Sequence, residues 1–270
     1  MSKNANATST SAVFISHGGG PLPLLGDEAH EEMVENLKSI AALLTKPSAI
    51  IVISAHWETD KPTITSGANP ALIYDYYGFP AASYEIEYPA PGNPPLAQKI
   101  AELLNDNGIE AILDEQRGFD HGLFVPLKIM YPEADIPCVQ LSLVHSLDPG
   151  EHIRLGEALA GLTDDNVLII GSGSSFHNLK AFFKPATVES QALNEAFEQW
   201  LIETCGSAEL SEEERARRLI DWEAAPEARY CHPREEHLLP LHVCYGFAKR
   251  AAKQVFTFEV MGKKASAYLW

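Results

Sequence analysis

Two patterns of apolar and polar positions alternate along the chain. Short unbroken runs of β-branched and apolar residues, such as residues 50–53, predict buried strands. Longer segments with apolar residues at helical spacing, such as residues 27–44, predict amphipathic helices. Because strands and helices alternate throughout, we expect an α/β fold. It would be a single domain whose largely parallel or mixed central sheet carries helices on both faces.

The same patterns predict the remaining elements. The other strands are expected at residues 13–16, 109–113, 136–143, 167–170, 254–260 and 265–269. The other helices are expected at residues 95–107, 123–131, 149–162, 189–204, 211–221 and 237–252. Residues 59–95 are rich in tyrosine, show no sustained period and are predicted to form one long loop. Residues 1–11 are predicted to be a disordered tail, which leaves residues 12–270 as the domain.

Three predicted strands each lead to a histidine. Residues 13–16 precede His17, residues 50–53 lead through Ser54 and Ala55 to His56, and residues 167–170 lead through a Gly-Ser-rich turn to His177. Ligands of open α/β sheets bind outside the carboxyl ends of the strands, so we expect these side chains to converge there. A lone histidine is more often structural, but histidine is also the commonest metal ligand. Three strand ends together therefore predict a metal site.

Other histidines receive different predictions from their surroundings. His30 and His152 lie in polar helical segments and are expected at the surface. His242 follows His237 by five residues, off the same helical face, and is expected in the core or beside the site. The setting of His145, after a strand, leaves its role open.

Composition limits the compartment and the partners. The 270 residues carry a formal net charge of −17, which argues against nucleic acid or an anionic membrane surface as a partner. No secretory leader is recognisable, and no apolar run is long enough to span a membrane. The four cysteines form no CxxC pair and are expected to be free thiols. We therefore expect a cytoplasmic protein.

Five motifs carry a resemblance to a known family. They are HGGGP at 17–21, SAHWE at 54–58, FDHG at 119–122, GSG followed by FHNL at 171–179, and EHLLPL at 236–241. In this order they resemble class III extradiol ring-cleavage dioxygenases, which include the catalytic subunit of protocatechuate 4,5-dioxygenase. The resemblance is greatest to the single-chain 4,5-DOPA extradiol group, and it covers almost the whole chain.

The resemblance implies an activity and a set of site residues. Such an enzyme uses Fe(II) and O2 to open the ring of a catechol, such as DOPA or a related compound, to a semialdehyde, and Zn(II) can occupy the iron site. His17, His56 and His237 would be metal ligands. His177 would be the acid/base and could also reach the metal as a further ligand. His121 would be a second catalytic histidine that meets substrate or oxygen, and no organic cofactor is implied.

One departure from the wider family leaves alternatives open. Protocatechuate-cleaving relatives complete their ligand set with a glutamate, whereas His237 occupies the matching position here and Glu236 lies next to it. Glu236 is therefore an alternative ligand. A zinc-dependent hydrolase, with Glu58 or Glu236 activating water, is a second possible function, although HExxH is absent. A non-catalytic protein that binds a metal or an aromatic ligand is a third. Oligomeric state is not predicted.

Overall fold

The computed structural model describes residues 11–163 and 165–270. Most of the predicted tail therefore lies outside the described residues, and Ser11 already begins the first strand. The strands, in chain order, are β1 Ser11–Ser16, β2 Ala49–Thr59, β3 Thr63–Thr65, β4 Ile112–Asp114, β5 Cys138–Val144, β6 Val167–Gly173, β7 Gln254–Val260 and β8 Lys263–Leu269.

The strands form one mixed sheet in the order β4-β3-β5-β2-β6-β1-β8-β7. The central pairs β5-β2, β2-β6 and β6-β1 are parallel. The β3-β5, β1-β8 and β8-β7 pairs are antiparallel, while β3 and β4 are parallel. Parallel central strands place their carboxyl ends at one edge of the sheet, which is where the predicted histidines occur.

Helices cover both faces of the sheet. They are α1 Glu31–Leu43, α2 Pro94–Asp106, α3 His121–Met130, α4 Pro149–Ala158, α5 Leu179–Phe182, α6 Val188–Gly206, α7 Glu212–Ile220, α8 Ala228–Cys231 and α9 Leu239–Ala248. The predicted α/β class with a mixed sheet is therefore confirmed. None of the helices in the described ranges is long and apolar enough to cross a membrane.

Alternating residues of the central strands point into two separate cores. Ile51 and Ile53 of β2 belong to the core that includes apolar residues of α2, α4, α6 and α9. Ile50 and Val52 belong to the core that includes residues of α1 and α3. A strand with both faces buried has no polar side to mark its period, which is why residues 50–53 read as a continuous apolar run.

Two of the stretches that differ from the predicted elements affect the surroundings of the site. The segment from 59 to 95 is not a single loop, because β3 pairs with β5 through Ile64 and Leu141. Strand β2 does not end at Ile53 but continues to Thr59, and its register against β5 shifts between Ile53 and Glu58. His56 lies inside this irregular part of the strand. Such irregularities redirect side chains and are frequent beside active sites.

His30 and His152, expected at the surface, are both fully buried, so that prediction is wrong. His30 Nε2 accepts a hydrogen bond from Gly19 N at 2.9 Å, and its Nδ1 lies 2.6 Å from Asp27. His152 Nε2 accepts from Val144 N at 3.2 Å, and its Nδ1 donates to the Asp148 carbonyl at 2.8 Å. Each ring forms hydrogen bonds with backbone groups of neighbouring segments and is buried for that reason. The polar residues beside it in the sequence therefore did not indicate exposure.

Candidate metal centre and active site

Three histidines from distant parts of the chain meet at the carboxyl edge of the sheet. His17 follows β1, His56 lies in β2, and His237 lies in the segment between α8 and α9. The ring centroids are 4.7 Å apart for His17 and His56, 5.2 Å for His17 and His237, and 5.0 Å for His56 and His237. One nitrogen from each ring lies within 4.8 Å of the other two.

Close backbone packing brings His237 to the strand ends. The His237 carbonyl accepts a hydrogen bond from Ser174 N at 3.0 Å, just beyond β6. A Cβ on Gly173 would lie only 2.0 Å from that carbonyl oxygen. Glycine at this position therefore permits the approach, because any side chain would displace the His237 backbone.

Ser172 fixes the tautomer of His17. The Ser172 hydroxyl donates to the Gly122 carbonyl at 2.5 Å, so its oxygen is free to accept from His17 Nδ1 at 3.0 Å. With its proton on Nδ1, His17 presents an unprotonated Nε2. His237 has the same arrangement, because its Nδ1 lies 2.9 Å from the Glu236 carboxylate. Both rings therefore offer an Nε2 lone pair.

The nitrogen spacing fits a divalent metal. His17 Nε2 and His56 Nε2 are 2.9 Å apart. Two imidazole nitrogens bound at about 2.1 Å, at right angles around one ion, would be separated by about 3.0 Å. The donor set of His17, His56 and His237 suits Fe(II) or Zn(II), for which imidazole is a good ligand. The residues present therefore fit the metal that the motifs imply.

Burial keeps these rings neutral. Burial, followed by repulsion from the neighbouring histidines, lowers the pKa of His17 and His56 well below the ordinary 6.5. Burial, together with the charge of His177, also lowers the pKa of His237 to about 3. A metal ligand must be unprotonated, so the environment favours the ligand form of all three rings.

His177 lies against His237 and shares a carboxylate with it. The two rings stack with centroids 3.3 Å apart, and His177 Nδ1 is 3.2 Å from Glu236 Oε1. Burial alone would raise the pKa of Glu236, but hydrogen bonds from His177 and His237 outweigh it and lower that pKa strongly. Glu236 is therefore an ionised acceptor for two histidines at once.

His121 occupies the opposite side of the centre at the start of α3. Its ring centroid is 3.9 Å from that of His56. Asp75 Oδ1 accepts from His121 Nδ1 at 2.8 Å and from the His121 backbone N at 3.0 Å. No motif in the sequence marks Asp75, which lies in the irregular segment between β3 and α2. An acidic residue between tyrosines was its only signal.

Glu58, the other acidic candidate, has a different partner. Arg234 donates to both carboxylate oxygens of Glu58, at 2.5 and 2.6 Å. Glu58 is therefore held in a bidentate ion pair and is not free to activate water. The sequence offered no signal for this pair, because its partners are far apart in the chain.

Only part of the tyrosine-rich segment at 59–95 lies next to the site. Tyr76 meets His121 edge-on with centroids 5.7 Å apart, and Tyr74 packs against Tyr76. Tyr77 is 91% exposed, and Tyr88 is buried with its hydroxyl donating to the Tyr131 carbonyl. Of this segment, Tyr76 and its neighbours are the aromatic surface that the site can use.

A cluster of histidines at the carboxyl edge of an α/β sheet is typical of a metal-dependent enzyme. Comparison with known proteins identifies the family. Residues 11–268 match the model for the catalytic LigB subunit of aromatic ring-opening dioxygenases. The chain belongs to this family and is an extradiol ring-cleavage dioxygenase.

Individual relatives agree with this assignment. The dioxygenase tasH of Hapsidospora irregularis is 40% identical over 96% of this chain and 84% of its own length. The 4,5-DOPA dioxygenase extradiol of Beta vulgaris is 40% identical over 89% of this chain and 87% of its own length. A crystal structure of an uncharacterized Escherichia coli K12 protein superposes with a TM-score of 0.74 at 29% identity, covering 96% of this chain and 99% of that one.

These findings confirm the resemblance to class III extradiol dioxygenases drawn from the motifs. They do not favour a zinc hydrolase or a non-catalytic binding protein. The structure brings His17, His56, His121, His177 and His237 together, but their individual roles stay predictions.

Proposed function

We propose that this protein is an Fe(II)-dependent extradiol dioxygenase that opens the ring of a catechol such as DOPA with O2, giving a semialdehyde. One observation carries the proposal: one ring nitrogen from each of His17, His56 and His237 lies within 4.8 Å of the other two, and two further histidines flank them. The relative from Beta vulgaris that is named for 4,5-DOPA supports the choice of substrate.

His17, His56 and His237 would hold the iron, and the same nitrogens would accept Zn(II). Glu236 is the alternative ligand, but its Oε1 accepts from two histidines and its Oε2 lies 3.5 Å from Arg234 Nη1. We therefore assign the third ligand position to His237. When bound, the iron supplies a Lewis-acidic redox centre that lowers the pKa of the catechol hydroxyls.

His177 would take the proton from a catechol hydroxyl. Its Nδ1 is directed to Glu236, so Nε2 is the atom available to the substrate. The Glu236 carboxylate would stabilise the imidazolium that forms. His177 is the most exposed of the site histidines after His56, with a side chain 22% exposed, so a substrate can reach it.

His121 would hold the substrate or oxygen on the opposite side. Asp75 holds its Nδ1 proton, which leaves Nε2 directed away from that carboxylate. The ring is only 6% exposed, and Tyr76 packs on it, so its position is set by its surroundings. A fixed ring is suited to orienting a bound molecule rather than to moving a proton over a distance.

A small aromatic substrate and O2 are the partners that this function requires. The described cysteines, Cys138, Cys205, Cys231 and Cys244, are all free and buried. Free thiols suit a reducing compartment, which supports our proposal of a cytoplasmic enzyme.

Anaerobic reconstitution tests this function. The purified protein would be loaded with Fe(II) and mixed with DOPA and other catechols under air. We expect one O2 consumed per catechol and a new visible absorption band from the semialdehyde product. Protein loaded with Zn(II) is the matched control and should consume none. Failure of iron-loaded protein to consume O2 with any catechol would contradict the proposal.

A further inference from the structure

A cavity of about 650 Å³ opens beside the catalytic histidines. His177 and Glu236 form part of its wall, so it is continuous with the site. Four basic residues also line it, namely Lys180, Lys184, Arg234 and Lys263. This concentration of positive charge contrasts with the chain as a whole, whose formal net charge is −17.

The negative charge near this cavity does not neutralise the lysines. Glu236 is the one carboxylate among the described lining residues, and it binds His177 and His237. Arg234 is occupied by Glu58. Lys180 and Lys184 are exposed and have no carboxylate partner in the described part of the chain. The cavity therefore keeps a surplus of positive charge.

Lys263 is the unusual member of this group. The residue as a whole is only 3% exposed, so its stem is buried, while its ammonium stays accessible from the cavity that it lines. No salt bridge or hydrogen bond joins that ammonium to a residue in 11–163 or 165–270. Its Nζ lies 5.8 Å from the centroid of the Phe176 ring. A lysine with a buried stem and an accessible ammonium holds its charge at a fixed place in the cavity wall, which suits the binding of an anion.

Lys264, the next residue of β8, shows the ordinary arrangement. Its side chain is 54% exposed and its Nζ is 2.6 Å from Glu195. Successive residues of a strand point to opposite faces, so the two lysines face different surroundings. The exposed Lys264 is thus paired with a carboxylate, whereas Lys263 faces the cavity.

We propose that this cavity is the side-chain subsite for a catechol that carries a carboxylate, and that Lys263 binds that carboxylate. The proposal rests on the proposed function, because it places the ring beside His177. A carboxylate would give the Lys263 ammonium the ion pair that it lacks. Lys180 and Lys184, at the exposed side of the cavity, would draw an anionic substrate inward.

A matched pair of substrates isolates this interaction. DOPA and dopamine share the catechol ring and the amine and differ by one carboxylate. We expect the wild-type protein to prefer DOPA in kcat/KM. Lys263→Met should lower kcat/KM for DOPA about ten- to hundredfold, the range for a lost charged hydrogen bond, and leave dopamine nearly unchanged. The loss should appear in KM rather than kcat, because the carboxylate is remote from the reacting atoms.

Two further variants separate binding from a structural role. Lys264→Met is the charge-matched control and should retain the preference for DOPA, while Lys263→Arg should largely retain it. A merely structural Lys263 would instead affect both substrates equally and lower the melting temperature of Lys263→Met. We expect no such lowering, because the substitution keeps an apolar stem and removes no hydrogen bond or ion pair with a described residue.

Calorimetric titration of the metal-free protein with DOPA and dopamine makes the test independent of turnover. Preferential binding of DOPA that disappears in Lys263→Met would support the subsite even if iron-loaded protein cleaved no catechol. Equal binding of the two compounds by the wild type, or an unchanged preference in Lys263→Met, would overturn the subsite while leaving ring cleavage intact.

Discussion

The two histidine–carboxylate pairs on either side of the metal centre are held differently. Asp75 Oδ1 accepts hydrogen bonds from both the ring Nδ1 and the backbone N of His121. It accepts none from another described histidine. Glu236 Oε1 is shared between His177 and His237. The His121 side chain is 6% exposed, whereas that of His177 is 22% exposed.

This difference indicates different catalytic roles for the His121 and His177 rings. Two hydrogen bonds to one carboxylate oxygen fix both the position and the rotation of His121. His177 lies in the connection between β6 and α5, and its backbone N donates to the Cys231 carbonyl at 3.0 Å. Its ring has one longer contact with a carboxylate, 3.2 Å from Nδ1 to Glu236 Oε1. A fixed ring suits orientation of substrate or oxygen, and a ring with access to the cavity suits proton transfer. Because Glu236 also contacts His237, the proton-transfer side is coupled to the proposed ligand.

Replacement of His177 should have the largest effect on turnover. We expect His177→Phe to lower kcat about 10²- to 10⁴-fold, the range for loss of a general acid–base, while catechol binding persists. Steady-state O2 consumption measures this. His145→Phe is the control, because His145 forms a similar pair with Asp60 at 2.9 Å but is 55% exposed. An unchanged kcat in His177→Phe would remove His177 from the mechanism.

Removal of the two carboxylates should have smaller and unequal effects. We expect Glu236→Ala to lower kcat/KM about hundredfold and Asp75→Ala about tenfold, because Glu236 orients two histidines and Asp75 orients one. Both variants should keep iron, measured per chain after reconstitution. Asp60→Ala is the surface control. A greater loss in Asp75→Ala than in Glu236→Ala would reverse the roles assigned to the two sides.

The two carboxylates, Glu236 and Asp75, should also differ in how they change stability at low pH. Hydrogen bonds from the histidines lower the pKa of both carboxylates despite burial, and more strongly for Glu236. The pKa in the unfolded chain is about 4.5 for Glu236 and 3.8 for Asp75. A carboxylate whose pKa is lower in the folded state stabilises the fold at pH values above the unfolded pKa, and this stabilisation is lost as the pH falls below it. Glu236→Gln should therefore reduce the loss of unfolding free energy between pH 6 and 4 by roughly 1 kcal/mol.

Urea unfolding of metal-free protein measures this difference, with Asp75→Asn as the comparison. We expect Asp75→Asn to change the pH dependence less, because the pKa of Asp75 is lowered less and begins lower. Equal slopes in the two variants would show that the carboxylates are held alike.

The histidines of the centre could be predicted from sequence because strand ends and motifs mark them. Apolar runs ending in His17 and His56 indicate the carboxyl edge of a sheet without knowledge of the strand order. Histidine at three strand ends together, and not the residue type alone, predicted metal chemistry. The resemblance supplied His121 and His237, which no strand end marks.

The partners of those histidines could not be predicted, since they depend on long-range packing. Ser172 and Asp75 contact histidines 155 and 46 residues away in the chain. Similarly, His30 looked exposed because its neighbours are polar, yet it is buried against the turn at Gly19. The polar positions of a helix predict its exposed face only when no loop folds over that face. Where a loop covers it, as at His30, a residue among polar neighbours can still be buried.

The most direct test of the central account is iron content per chain in two variants of adjacent, stacked rings. After anaerobic reconstitution and removal of free metal, His177→Phe should retain about one iron, as the wild type does. His237→Ala should retain almost none, because loss of one ligand from a three-histidine site leaves too few to hold the ion. Loss of iron from His177→Phe, or its retention by His237→Ala, would contradict the division between ligand and acid–base.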